Sequence, residues 1–313
     1  MKKILLLVAA VTMLYSCEGP FDGVKVVEGD EPTTSSVTYN NQRVTINSDY
    51  IRTQCGTTKS NIVKEVSGLA CSRTTAGYLW AEIDEGTSYL YALSPDGSLK
   101  TKLTVEGMNN RDDWEDICTG TYNGVNYIFV GAFGDNNATH ADDYYIVCIP
   151  EPALTSTEVS AKATIIKFGF PNHVAYNVET LMYDSANKMF YIVNKVDGVA
   201  NIFKLPMSLT YGSALQTLTE GPALGTTYDK WSLITGGDIS PDGSLVAIKN
   251  KSQIFLWKRQ GAEDVFTTVA RAPELIGSYQ QEAQGESLAW LDNNTFYTTS
   301  DSKIDTPIYK YSK

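Results

Sequence analysis

A short pattern recurs five times along the chain and limits what it can fold into. The copies are Ser67-Gly68-Leu69-Ala70, Glu115-Asp116-Ile117-Cys118, Glu179-Thr180-Leu181-Met182, Gly237-Asp238-Ile239-Ser240 and Glu286-Ser287-Leu288-Ala289. Their spacing of about 50 to 65 residues suits one blade of a β-propeller per copy. A turn and a β-rich run follow each copy, at 78–83, 127–133, 189–194, 245–249 and 295–299. A polar hairpin then leads to a third run, at 89–93, 144–149, 201–205, 253–258 and 308–311. The first four units add a fourth run, as at 100–105 and 163–168. Ser94-Pro95-Asp96-Gly97 and Ser240-Pro241-Asp242-Gly243 are identical tight-turn sequences.

The fifth unit reaches the end of the sequence after its third run. The alternating segment 37–46, with Val44 and Ile46, is the expected source of its fourth strand. Such closure ties a ring shut and removes sheet edges. The pattern predicts an all-β fold: a propeller of five four-stranded blades, in one domain over 37–313, closed by an N-terminal strand. Six blades are the runner-up, because the long second and third steps leave room for another strand. No stretch has a useful 3.6-residue period, so helices should be minor.

Composition narrows the function. The chain has 313 residues and is 42% hydrophobic, enough for a real core. There are 25 Lys+Arg against 36 Asp+Glu, a formal charge of −11. That balance repels phosphate backbones and argues against nucleic acid as a partner. With only 2 His, a His-rich zinc site is nearly excluded. Cys55, Cys71, Cys118 and Cys148 match no zinc spacing. Cys71, Cys118 and Cys148 sit in apolar strand-like runs, which favours buried thiols over bridges.

The start of the chain reads as an address. Lys2 and Lys3 precede an apolar run at 4–11, too short to span a bilayer. Leu14-Tyr15-Ser16-Cys17 then resembles the bacterial lipobox. The expectation is a signal peptide at 1–16, lipidation at Cys17 and a flexible tether at 17–36, rich in Gly, Pro, Asp, Glu, Ser and Thr. The bilayer is then one partner. The address is the bacterial cell envelope, at the periplasmic face or the cell surface.

Several segments together resemble a bacterial family of secreted or lipid-anchored β-propellers. These are akin to the YncE-like and NHL-like propellers and to those with esterase-like phytase activity. The segments are Ser67-Gly68-Leu69-Ala70, Leu79-Trp80, Asp113-Trp114-Glu115-Asp116-Ile117, Gly134-Asp135-Asn136, Pro150-Glu151-Pro152, Val178-Glu179-Thr180-Leu181, 237–243 and 285–289. The resemblance implies fold and address. It implies no reaction, because propellers host many functions.

In an up-and-down blade, the loop entering the first strand and the hairpin between the second and third open on the same face. Glu115, Asp116, Glu179, Asp238 and Glu286 should therefore meet Asp84, Asp135, Asn136, Lys195, Lys249 and Asp301 around the channel. Asp113 lies just upstream. Three readings are open. The acids could bind a hard cation, with Ca²⁺ on Asp135, Asn136, Glu115 and Glu179. A carboxylate pair could hydrolyse a phosphoester or glycoside. Or the repeated acids could fasten blade to blade by accepting backbone N–H groups. The first-choice function is a monomeric binding or scaffold module that shows its acidic face to a small molecule, glycan or envelope protein. The alternative is the hydrolase. Trp114 and Trp231 lie nearest to loops and are candidate ligand platforms. His140 and His173 lack a nucleophile-elbow motif nearby.

Overall fold

The computed structural model describes residues 34–84, 88–108, 113–212, 214–225 and 233–313. Cys17, the signal peptide, Asp112 and Trp231 lie outside the described residues, as does the tether up to residue 33. Three N-terminal strands come first: β1 (Thr34–Tyr39), β2 (Gln42–Asn47) and β3 (Ile51–Thr58). β4 (Leu69–Cys71), β5 (Leu79–Ala81), β6 (Tyr89–Leu93) and β7 (Leu99–Glu106) form blade one. Blade two has β8 (Trp114–Tyr122), β9 (Val125–Ala132), β10 (Tyr144–Pro150) and β12 (Thr164–Gly169), with β11 (Glu158–Lys162) in the connection before β12. Blade three has β13 (Val178–Asp184), β14 (Met189–Asn194), β15 (Asn201–Pro206) and β17 (Thr219–Ala223), with β16 (Gln216–Thr217) before β17. Blade four has β18 (Ile234–Ile239), β19 (Leu245–Asn250), β20 (Ile254–Lys258) and β21 (Glu274–Ile276), with the short helix α1 (Val265–Val269) before β21. Blade five has β22 (Ala289–Asp292), β23 (Thr295–Thr298) and β24 (Thr306–Ser312).

The fold is the five-bladed propeller that the repeat predicts. The closing strand comes from the N-terminal side, but it is β3 rather than 37–46. β3 pairs antiparallel with β24, from Ile51 opposite Ser312 to Thr58 opposite Thr306. The outermost strand of a blade faces solvent, so β3 (Ile-Arg-Thr-Gln-Cys-Gly-Thr-Thr) carries no apolar alternation to reveal it. Residues 37–46 fall in β1 and β2, which extend the outer edge of blade four, with β2 parallel to β21.

The two long steps are explained in the same way. β11 pairs parallel with β7 of the preceding blade, and β16 pairs parallel with β12 of the preceding blade. The additional strands thicken neighbouring blades and build no sixth one.

Both faces of each blade pack on a neighbour, so inner strands such as β13 are buried at every residue. Five apolar cores fill the five gaps. One example joins Phe129 and Tyr144 of blade two to Leu181, Phe190 and Phe203 of blade three. Trp114 is fully buried in the core between blades one and two, so it is no ligand platform. Its strand position explains this, since a ring on β8 packs between sheets. Cys55, Cys71, Cys118 and Cys148 are free, and the last three are buried.

Candidate functional site

The inner strands β4, β8, β13, β18 and β22 surround the channel, and the loops entering them converge at one mouth. β8 shows how sequence places the groups. Asp113, Glu115 and Asp116 lie within four residues, yet they do different work. Asp116 is fully buried: Oδ1 accepts from Ile117 N at 2.8 Å and Oδ2 from Leu181 N at 2.7 Å, across the gap to blade three. Asp238 repeats this for blades four and five, accepting from Ile239 N and from Trp290 N, both at 2.8 Å. Burial pushes the Asp238 carboxyl up to about 6, while Arg73 and the two N–H donors pull against it. Both side chains are fasteners between inner strands.

Glu151, of the Pro-Glu-Pro segment, is a third fastener. It accepts from Ser72 Oγ at 2.6 Å, Trp80 Nε1 at 2.8 Å and Thr74 N at 2.9 Å, tying blade two to blade one.

At the mouth itself, Asp84, Asp113 and Glu115 offer carboxylate oxygens that all lie within 4.8 Å of one another. The β5–β6 hairpin carries Asp84, and the entry to β8 carries the other two. Gly134 makes room for them: a side chain there would overlap Asp113 Oδ2 and Glu115 Oε1. Burial, then the Asp113 carboxyl, pushes Asp84 up to about 7. Burial, then Glu179, Asp113, Asp84 and Glu82, holds Glu115 well above the usual carboxylate range.

Glu82 lies deeper. It is fully buried, and neither carboxylate oxygen has a hydrogen-bond partner among the described residues. Its Oε1 sits 2.9 Å from where a Cβ on Gly68 would lie, a point also 2.8 Å from Ile117 N. That places the carboxylate between the inner strands of blades one and two. Burial, then Asp116 and Asp84, raises its pKa strongly. No motif marks Glu82; its one signal in the sequence is an acid inside the strand-like run 78–83.

On the next blades lysines pair with the acids. Lys195 pairs with Glu179 and approaches Glu286 at 3.9 Å. Lys251, which belongs to no repeated motif, reaches Glu286 at 3.5 Å. Burial still pushes Glu179 up to about 7, against the pull of Lys195. Lys249 is fully buried, donates to Gly285 O, and is pushed down to about 8 by burial. Asp301 sits beside this group and is raised to about 6 by burial and then by Glu286. The mouth therefore joins an acidic group on blades one and two to a mixed-charge group on blades three to five.

Asp135 and Asn136 are engaged elsewhere. Asp135 accepts from Thr139 N at 2.9 Å, His140 N at 2.7 Å and Tyr144 Oη at 3.0 Å, so it staples its own loop. Those donors, against burial, hold its carboxyl below the usual range. Asn136 Oδ1 accepts from Asn177 Nδ2 at 3.1 Å. His140 and His173 are exposed, 3.5 Å from Asp135 and beside Asp142 respectively.

No protein-family model and no curated protein matches the sequence. Among solved structures, the chain is similar to one from a nidogen–laminin complex at 12% identity and TM-score 0.42, covering 76% of this chain and 72% of that one. It is also similar to a chain of a mitotic checkpoint complex at 10% identity and TM-score 0.36, covering 78% and 63%.

Proposed function

We propose that this propeller is a binding or scaffold module, held at the bacterial envelope through lipidated Cys17, that engages its ligand or protein partner at the charged channel mouth. The observation that carries the reading is the convergence of Asp84, Asp113, Glu115, Glu179, Glu286, Lys195 and Lys251 at one end of the channel. Grouped charges of both signs on a rigid ring give orientation and selectivity to whatever docks there. The lipobox-like Leu14-Tyr15-Ser16-Cys17 supports the address. The family resemblance set out above supports it in the same way.

Site-specific photocrosslinking on intact cells tests both parts. Crosslinkers at Asn136 and Ser302, on the mouth side, should capture a defined partner or glycan. Crosslinkers at Asn123 and Asn293, in turns at the other end, should not. Cys17→Ser should release the chain from the membrane fraction. Equal capture at both ends, or a chain that stays membrane-bound without Cys17, overturns the proposal. Turnover of phosphoesters or glycosides that disappears in Glu115→Gln would replace it with the hydrolase reading.

A further inference from the structure

We propose that Asp84, Asp113 and Glu115 hold one hard divalent cation, Ca²⁺ by preference, with the buried Glu82 carboxylate beneath them as a positioning charge. The proposal rests on the reading of this mouth as the binding face.

Two independent observations lead to it. The first is spacing. Oxygens bound to one Ca²⁺ lie about 2.3–2.6 Å from it, so opposite ligands are separated by roughly twice that distance. Carboxylate oxygens of all three residues fall within 4.8 Å of one another. Each carboxylate can be mono- or bidentate, and the donor set contains no His or Cys, so the chemistry suits a hard ion rather than zinc. Gly134 keeps clear the space in which the Asp113 and Glu115 carboxylates meet.

The second observation is Glu82. As an ion, a fully buried carboxylate with both oxygens unpartnered among the described residues is costly unless a positive charge lies near it. The ion pairs of Lys195 and Lys251 are made with Glu179 and Glu286. Glu82 faces the gap between β4 and β8, the strand that carries Glu115, and Asp84 lies two residues further along the chain. A cation bound above it supplies the missing partner field. This set differs from the Asp135, Asn136, Glu115 and Glu179 set expected from sequence, because Asp135 is already saturated by its own loop.

The test uses the full chain, stripped with EDTA and titrated calorimetrically with CaCl₂ and then with MgCl₂. The expected result is one Ca²⁺ per chain, bound more tightly than Mg²⁺. Asp84→Asn and Glu115→Gln should each weaken it at least about tenfold. Glu82→Gln, which keeps shape and removes charge, should weaken it by about ten- to a hundredfold, as outer-shell changes do. The exposed Glu158→Gln should leave it unchanged. A second readout needs no variant: Tb³⁺ bound here should be sensitised by Trp114, adjacent to Glu115 in sequence, and displaced by Ca²⁺. No heat and no sensitised emission up to about 10 mM ion, beyond the weakest calcium modules, overturns the proposal. So does binding that is unchanged in both Asp84→Asn and Glu115→Gln. If the cation fails while mouth crosslinking holds, only the cation site falls. If crosslinking fails while Ca²⁺ binds, only the partner reading falls.

Discussion

Neighbouring carboxylates on β8 should respond to substitution with opposite signs. Asp116→Ala orphans two buried backbone N–H groups, Ile117 and Leu181, at about 1–3 kcal/mol each. The expected loss of stability is about 2–6 kcal/mol by denaturant unfolding. Glu115→Gln removes a charge from a crowded acidic group and keeps its shape. In EDTA at pH 8 it should raise the melting temperature, and a fall would show that repulsion is not what Glu115 feels. The sequence could nominate both residues from the repeat, but it could not separate them. Their difference lies in where each side chain points from a strand that twists past the channel. Asp135 was equally visible, and its partners Thr139, His140 and Tyr144 come from a loop fold that no spacing reveals.

At the scale of elements, ring closure depends on a close backbone contact. β3 runs against the Ser94-Pro95-Asp96-Gly97 turn of blade one, with Thr57 N donating to Asp96 O at 3.3 Å. Gly97 has φ +91°, and a side chain there would overlap Thr57 O. Gly97→Ala should therefore cost more than the roughly 1–2 kcal/mol that a left-handed conformation alone costs a residue with a Cβ. Calorimetry should show a marked drop in melting temperature, whereas Gly77→Ala, also at positive φ but with open space around it, should cost only the backbone strain. Blade number and most strands were legible because inner and middle strands are apolar and recur with the blade. The closing strand was not, because β3 is largely polar and half exposed. The extra strands follow one rule. β2, β11 and β16 each directly precede the outermost strand of one blade and pair parallel with the outermost strand of the blade before it. Parallel pairing of short polar segments leaves almost no trace in sequence.

For the molecule as a whole, buried carboxyls govern the pH response. Glu179 is held at about 7, and Asp238 and Asp301 at about 6, against roughly 4 in an unfolded chain. Between about pH 4 and 7 the folded protein therefore binds more protons than the unfolded one, and stability falls as pH rises. Asp242, held at about 2 by its hydrogen bonds, acts in the other direction only below about pH 4. In EDTA at fixed ionic strength, the melting temperature should peak near pH 4–5 and decline towards 7. A rise from pH 5 to 7 would contradict the burial of these groups. Lys249, lowered to about 8, should return some stability between about pH 8 and 10, where only the unfolded chain keeps that proton.

The layering of the N-terminal strands also bears on how the ring responds to force. A pull on the chain at Thr34 reaches β1 first, at the rim of its sheet, paired with β2 alone among the described strands. Next comes β2, held along a short parallel seam on β21. Tyr39 pins this hairpin from below, its ring set edge-on to Trp257 at 5.9 Å. Only when both strands have peeled away does tension arrive at β3, which pairs with β24 along its whole length. The hairpin is thus a fuse in series with the clasp: a tugged molecule sheds its outer ribbon before its circle opens.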